Sequence, residues 1–118
     1  MKIKKARQIL KSLADDTRLR IMNILKNGEL TVSDICEVLQ KEQSNISKHL
    51  TRLRLTGLVI DRRSGNNVYY FLNKSKDKEH MHLLSVITKG LSDIEIFSKD
   101  KEALSKLEKQ KNPYKGAI

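Results

Sequence analysis

Gln43-Ser44-Asn45-Ile46-Ser47-Lys48-His49-Leu50-Thr51-Arg52-Leu53 is the stretch on which the fold turns. With about 100° of rotation per residue, a helix running from Gln43 to Thr56 gathers Ile46, Leu50 and Leu53 within about 60° of one another. The same helix turns Ser44, Ser47, Lys48, Thr51 and Arg52 away from that stripe. One side is therefore core and the other polar and cationic. Hydroxyl, amide and cationic groups near a helix N-terminus are the groups that base edges and phosphates require. Gln43 and Asn45 can address adenine bidentately, Lys48 a guanine or a phosphate, and Arg52, further along, the backbone. His49 borders the core stripe and reads as a packing or phosphate-contacting residue rather than an acid–base catalyst. Leu55 falls on the exposed side without an evident partner.

Upstream, Thr31 can cap a short helix over Val32 to Leu39, joined to the first by polar Gln40-Lys41-Glu42. Before it, a helix opens near Asp15-Asp16-Thr17, carries Leu19, Met22, Ile24 and Leu25, and closes at Asn27-Gly28. Ile3, Ala6, Ile9, Leu10 and Leu13 recur at helical spacing ahead of that. Downstream, Leu58-Val59-Ile60 and Val68-Tyr69-Tyr70-Phe71-Leu72 read as two strands around a turn at Asp61–Asn67. Val59, Val68, Tyr70 and Leu72 are the residues expected to lean on the helices. Arg62, Arg63, Asn66 and Asn67 would project toward a DNA backbone or minor groove. From Asp77 the pattern is helical again, with Leu84, Ile87, Leu91 and Ile94 as one packing seam and Gly90 inside it, which costs about 1 kcal/mol relative to Ala. That seam, with Ile3 and Ile9, predicts a dimer contact. The competing reading packs it on the chain's own core.

Two helices joined by a short polar connection and followed by a basic-tipped hairpin are the parts of a winged helix-turn-helix. The fold class is mostly α (α+β), with one β-hairpin wing and long terminal helices forming a homodimer interface. We expect one domain over residues 1–110. Residues 14–75 hold the helix-turn-helix and wing, 1–13 and 77–110 the dimerisation helices, and 111–118 a flexible tail.

Composition narrows the partners. The 118 residues carry a formal charge of +10, and residues 1–75 hold 15 Lys+Arg against 7 Asp+Glu. Such a surplus favours a polyanion, because each neutralised phosphate releases counterions. A lone Cys36 excludes an intrachain disulfide and any four-thiolate site, and it shares a stripe with Val32, Ile35 and Leu39, which makes it a core thiol rather than a redox sensor. No apolar run approaches the roughly 18 residues of a membrane span, and the expected location is the cytoplasm. A Gly-rich phosphate loop, a paired-carboxylate cleft and a nucleophile with a supporting base are all lacking, so neither an enzyme nor a cofactor is expected.

The segments Leu13-Ala14-Asp15-Asp16-Thr17-Arg18-Leu19-Arg20-Ile21, Glu29-Leu30-Thr31-Val32-Ser33-Asp34-Ile35, Ser44-Asn45-Ile46-Ser47-Lys48-His49-Leu50, Gly57-Leu58-Val59 and Val68-Tyr69-Tyr70 together resemble the ArsR/SmtB family of repressors over roughly residues 8–75. The resemblance implies a homodimer paired through its first and last helices, bound to an inverted-repeat operator of double-stranded DNA and released by an effector. It places Gln43, Ser44, Ser47, Lys48 and His49 in the DNA-facing stretch. Glu42 stands where many members have a Ser or Thr cap. Many relatives sense thiophilic ions through a Cys-Val-Cys segment, and this chain has Thr31-Val32-Ser33 there. Others place zinc or nickel ligands on the last helix. The matching register gives His80, His82 and Asp93, then Ile96, which is no ligand, and Lys89 lies on the same face as His82 and Asp93 and opposes a cation. The expectation is a repressor with a non-metal or atypical effector. The rivals are a zinc- or nickel-responsive repressor and a winged-helix module that docks protein or RNA.

Overall fold

The computed structural model describes residues 1–74 and 77–112. Six helices and three short strands follow in the order α1 (Ile3–Leu13), α2 (Asp16–Leu25), β1 (Leu30–Thr31), α3 (Val32–Leu39), α4 (Gln43–Leu55), β2 (Val59–Ser64), β3 (Asn67–Leu72), α5 (Lys78–Gly90) and α6 (Glu95–Lys111). No helix among the described residues is long and apolar enough to cross a membrane. Residues 113–118 of the expected tail lie outside the described residues, and Lys111 still belongs to α6.

Local chemistry sets most boundaries. Asp15 caps α2 by accepting from the Arg18 N–H at 3.0 Å. Thr31 and Asp34 close a reciprocal capping box on α3, with Asp34 N donating to Thr31 Oγ1 and Thr31 N to Asp34 Oδ2, both at 3.1 Å. α3 ends at Gln40 in the left-handed region, φ 55°, and the Gln40 side-chain amide donates back to the Glu37 carbonyl at 2.6 Å. Glu42 precedes α4 without a side-chain cap.

The core sits where α2, α3 and α4 meet the sheet. Ile21, Met22, Ile35, Ile46, Leu50, Leu53 and Leu58 are all fully buried, so the stripe read on α4 is its inner face. Cys36 is half-buried against this core, where burial pushes its thiol above the ordinary value.

Three features depart from the sequence expectations. A third strand joins the hairpin: Leu30 pairs with Tyr70 and Thr31 with Tyr69, giving a sheet of order β1-β3-β2. Two residues are too few to show a strand period, so only tertiary pairing reveals it. Second, the turn is tighter than Asp61–Asn67, because pairing runs to Ser64↔Asn67 and leaves Gly65 and Asn66 as the loop, with Gly65 at φ 60°. Third, the seam through Leu84, Ile87, Leu91 and Ile94 is not one helix. α5 stops at Gly90, Ser92 Oγ donates to the Lys89 carbonyl at 2.8 Å, and α6 begins after Ile94. Gly, Ser and Asp within four residues sum to a poor helical propensity that the apolar spacing concealed. Leu84 and Ile9 are buried in the chain's own core, at 5% and 0% exposure, so neither offers a surface to a second subunit.

α6 folds back across α2 and α3. It buries Phe97, Leu104 and Leu107, and its Asp100 receives Arg20 Nε and Nη2 at 2.8 and 2.9 Å. Asn23 Nδ2 donates to the Phe97 carbonyl at 3.2 Å, and Lys111 Nζ reaches the capping carboxylate of Asp34.

Candidate nucleic-acid interface

The face of α4 opposite Ile46, Leu50 and Leu53 is open. Gln43, Ser44, Asn45, Lys48, Thr51 and Arg52 are exposed, while Ser47 is half-buried. No side chain caps the first turn, so its backbone N–H groups and the positive end of the helix dipole add to the same surface. Thr51 Oγ1 donates to the Ser47 carbonyl at 2.9 Å, which occupies its proton and leaves its oxygen as an acceptor.

His49 lies elsewhere. It is half-buried against α2, its Nδ1 3.0 Å from Arg18 Nη1 and 3.9 Å from Asp15 Oδ1. Burial holds its pKa below the ordinary value, outweighing the pull of Asp15, and Arg18, Lys48 and Lys41 depress it further. A neutral imidazole there accepts from the Arg18 guanidinium. His49 thus fixes α4 on α2, and Arg18 and Asp15 are partners that sequence reading had not linked to it.

The wing also divides its cations. Arg62 forms a fork with the Glu29 carboxylate, Nε to Oε2 at 2.8 Å, and its guanidinium lies 4.8 Å from the Tyr69 ring centroid. This pairing lowers the Glu29 pKa and raises that of Arg62. Arg62 therefore braces the wing against the residue before β1. Arg63, Asn66 and Asn67 are exposed at the tip. Arg54 Nη1 stands 3.7 Å from Asp61 and ties the end of α4 to the start of the wing.

The last-helix metal candidates do not converge. His80 is 8% exposed and its Nε2 lies 2.8 Å from the Asn73 carbonyl, His82 is exposed on another side of α5, and Asp93 lies in the α5–α6 turn. With α5 ending at Gly90, the three-turn register that would put His82 and Asp93 on one face is absent. Among the described residues no group of three His, Cys, Asp or Glu could hold a metal ion.

Comparison with known proteins agrees with this geometry. Residues 15–61, which run from the cap of α2 into the wing, match the family described as bacterial regulatory protein, arsR family. The chain is 33% identical over 87 residues to the transcriptional repressor SdpR of Bacillus subtilis (strain 168), covering 73% of this chain and 97% of that protein. It is 48% identical over 67 residues to the arsenical resistance operon repressor of Escherichia coli (strain K12), covering 56% of this chain and 57% of that repressor's length. Among solved structures, the homodimeric winged helix-turn-helix DNA-binding domain of Mb0332 from Mycobacterium bovis superposes with a TM-score of 0.64 at 27% identity, over 72% of this chain and 76% of that one. An uncapped, polar and cationic recognition helix, a braced wing and these likenesses place the chain in the arsR family of bacterial regulatory proteins, with that family's winged helix-turn-helix fold.

Proposed function

We propose that the chain is a homodimeric transcriptional repressor that binds an inverted-repeat operator and leaves it when an effector binds. The observation that carries this reading is the exposed face of α4, where Gln43, Ser44, Asn45 and Lys48 surround an uncapped N-terminus. Gln43 and Asn45 read base edges, Lys48 a guanine or a phosphate, and Arg52 and Arg63 hold the backbone, with Asn66 and Asn67 at the wing tip. His49 and Arg62 act as positioning residues, since their polar groups are engaged within the chain.

The dimer surface that suits this role is formed by α1 and α5, not by the broken seam. Ile3, Leu10 and Val86 are 82%, 60% and 50% exposed, and Ala6, Leu10, Leu83 and Val86 line an apolar cavity of about 300 Å³ between the two helices. A second copy that covers this face would set the two α4 helices to reach successive major grooves, about 34 Å apart. The arsenical response named for the Escherichia coli relative is not carried over. The chain has one thiol, and the Thr31 hydroxyl at the start of α3 is occupied by capping.

The test is a gel shift with DNA from the gene's own upstream region against random duplex at moderate salt, using wild type and Lys48→Glu. Site preference in wild type and its loss in the variant support the reading. Equal affinity for both duplexes refutes operator recognition.

A further inference from the structure

α1 carries three stripes rather than two. Counting about 100° per residue from buried Ile9, Ile3, Ala6 and Leu10 fall within about 60° of one another on one flank, and Lys4, Arg7 and Lys11 within about 60° on the outer side opposite Ile9. The apolar flank meets α5 in the cavity described above. From the cationic side, Arg7 and Lys11 reach a groove shared with α4. Arg7, Gln8 and Lys11 form one wall of a cavity of about 370 Å³ whose other wall is Arg52, Leu55 and Thr56. Lys5 Nζ donates to the Thr56 carbonyl at 2.8 Å, which fixes the two helices against each other.

Among the described residues, Arg7, Lys11 and Arg52 stand in no ion pair, and no carboxylate lines the groove between them. Three unbalanced cations facing one groove leave an electrostatic demand that the chain does not meet. The groove is also continuous with the reading face. Arg52 lies one turn beyond Lys48. On the α1 side, the Lys11 carbonyl accepts from Arg18 Nη2 at 3.5 Å, and Arg18 holds His49 of α4.

We propose that Arg7 and Lys11 of α1, together with Arg52, clamp the phosphate backbone of the DNA strand that borders the major groove entered by α4. Leu55, 74% exposed on the wall of this groove, then lies against the sugars. Helix α1 thereby serves two partners at once, a second copy through its apolar flank and DNA through its cationic outer side. The proposal rests on the DNA-binding reading above and extends the footprint beyond α4 and the wing.

The test measures the salt dependence of binding to a labelled random-sequence duplex of about 30 base pairs between about 50 and 200 mM NaCl, since phosphate contacts need no operator. The full-length Arg7→Gln/Lys11→Gln variant should bind more weakly. Its slope of log K against log salt should be shallower by about 1.8 per protomer, which is about 0.9 per lost phosphate contact. Lys99→Gln/Lys106→Gln on α6 removes the same charge away from the groove and should leave the slope unchanged. An unchanged slope in the α1 variant overturns the proposal, and so does an equal loss in the α6 control, which would show a net-charge effect. Dissociation of the α1 variant into monomers by sedimentation also overturns it, by assigning the cations to the partner subunit. A wild-type protein that binds no duplex at all overturns the DNA-binding reading and this clamp with it, whereas the other refutations leave that reading standing.

Discussion

Truncation of Asp100 to Ala tests whether α6 is tied down by its buried ion pair with Arg20. The Asp100 side chain is 4% exposed and receives two hydrogen bonds, at 2.8 and 2.9 Å, from Arg20, whose side chain is 16% exposed. Removing one partner of a buried pair costs about 3–5 kcal/mol, because the remaining charge is stranded. Arg20 keeps some contact with water and can turn toward it, so we expect a cost at or just below the bottom of that range, about 2–3 kcal/mol. With a urea m-value of about 2 kcal/mol/M, the unfolding midpoint falls by about 1–1.5 M. The assay is urea unfolding followed by helical circular dichroism at one fixed protein concentration, since dimerisation stabilises by mass action. The companion variant Arg20→Met/Asp100→Leu replaces the pair by apolar side chains and should recover most of the loss. A cost below about 1 kcal/mol for Asp100→Ala, or a double variant as unstable as the single one, refutes the assignment.

Thr31→Ala removes half of the capping box on α3 and should lower stability by about 1 kcal/mol in the same urea assay. Burial raises the pKa of Asp34, but its bonds to Lys111 and Thr31 outweigh this and hold it below the ordinary 3.8. Its stability contribution is therefore complete above that value and is lost as pH falls through the lower, folded one, so acid unfolding of Asp34→Asn should show a flatter limb below pH 3.8 than wild type. Leu10→Glu with Val86→Glu should shift the protein toward monomer in sedimentation, with the helical spectrum retained, because both side chains are exposed within one chain. The raised pKa of Cys36 predicts slower alkylation at neutral pH than a free thiol reference shows, measured by mass shift over time.

Much of the fold was legible because local rules agreed with one another. The Thr31 cap, the opening of α2 near Asp15, the two faces of α4 and the strand composition of Val68–Leu72 each need only neighbours within a few residues, and each appears in the structure where the sequence places it. The error at Leu91–Ile94 has the same origin in reverse. Apolar spacing of three and four persisted across a Gly-Leu-Ser-Asp break, and the period outweighed the propensity against it. In the candidate site, the exposed residues of α4 followed from angle alone. The engagement of His49 by Arg18 and of Arg62 by Glu29 did not, since these partners lie 31 and 33 residues away.

The first four helices, the hairpin after them, the inner stripe of α4 and its cationic outer side were settled by the amino-acid sequence itself, because helical rotation and capping act over one or two turns, whereas β1 and the break between α5 and α6 were not. Tertiary structure alone decided which basic side chains remain available to DNA. Arg18, Arg20 and Arg62 are drawn into ion pairs or fixed on neighbouring elements, while Lys48, Arg52, Arg63, Arg7 and Lys11 stay exposed. The physical reason is that a guanidinium reads alike along the chain whether its carboxylate is absent or waits on another element, and only folding brings the two within a few ångströms.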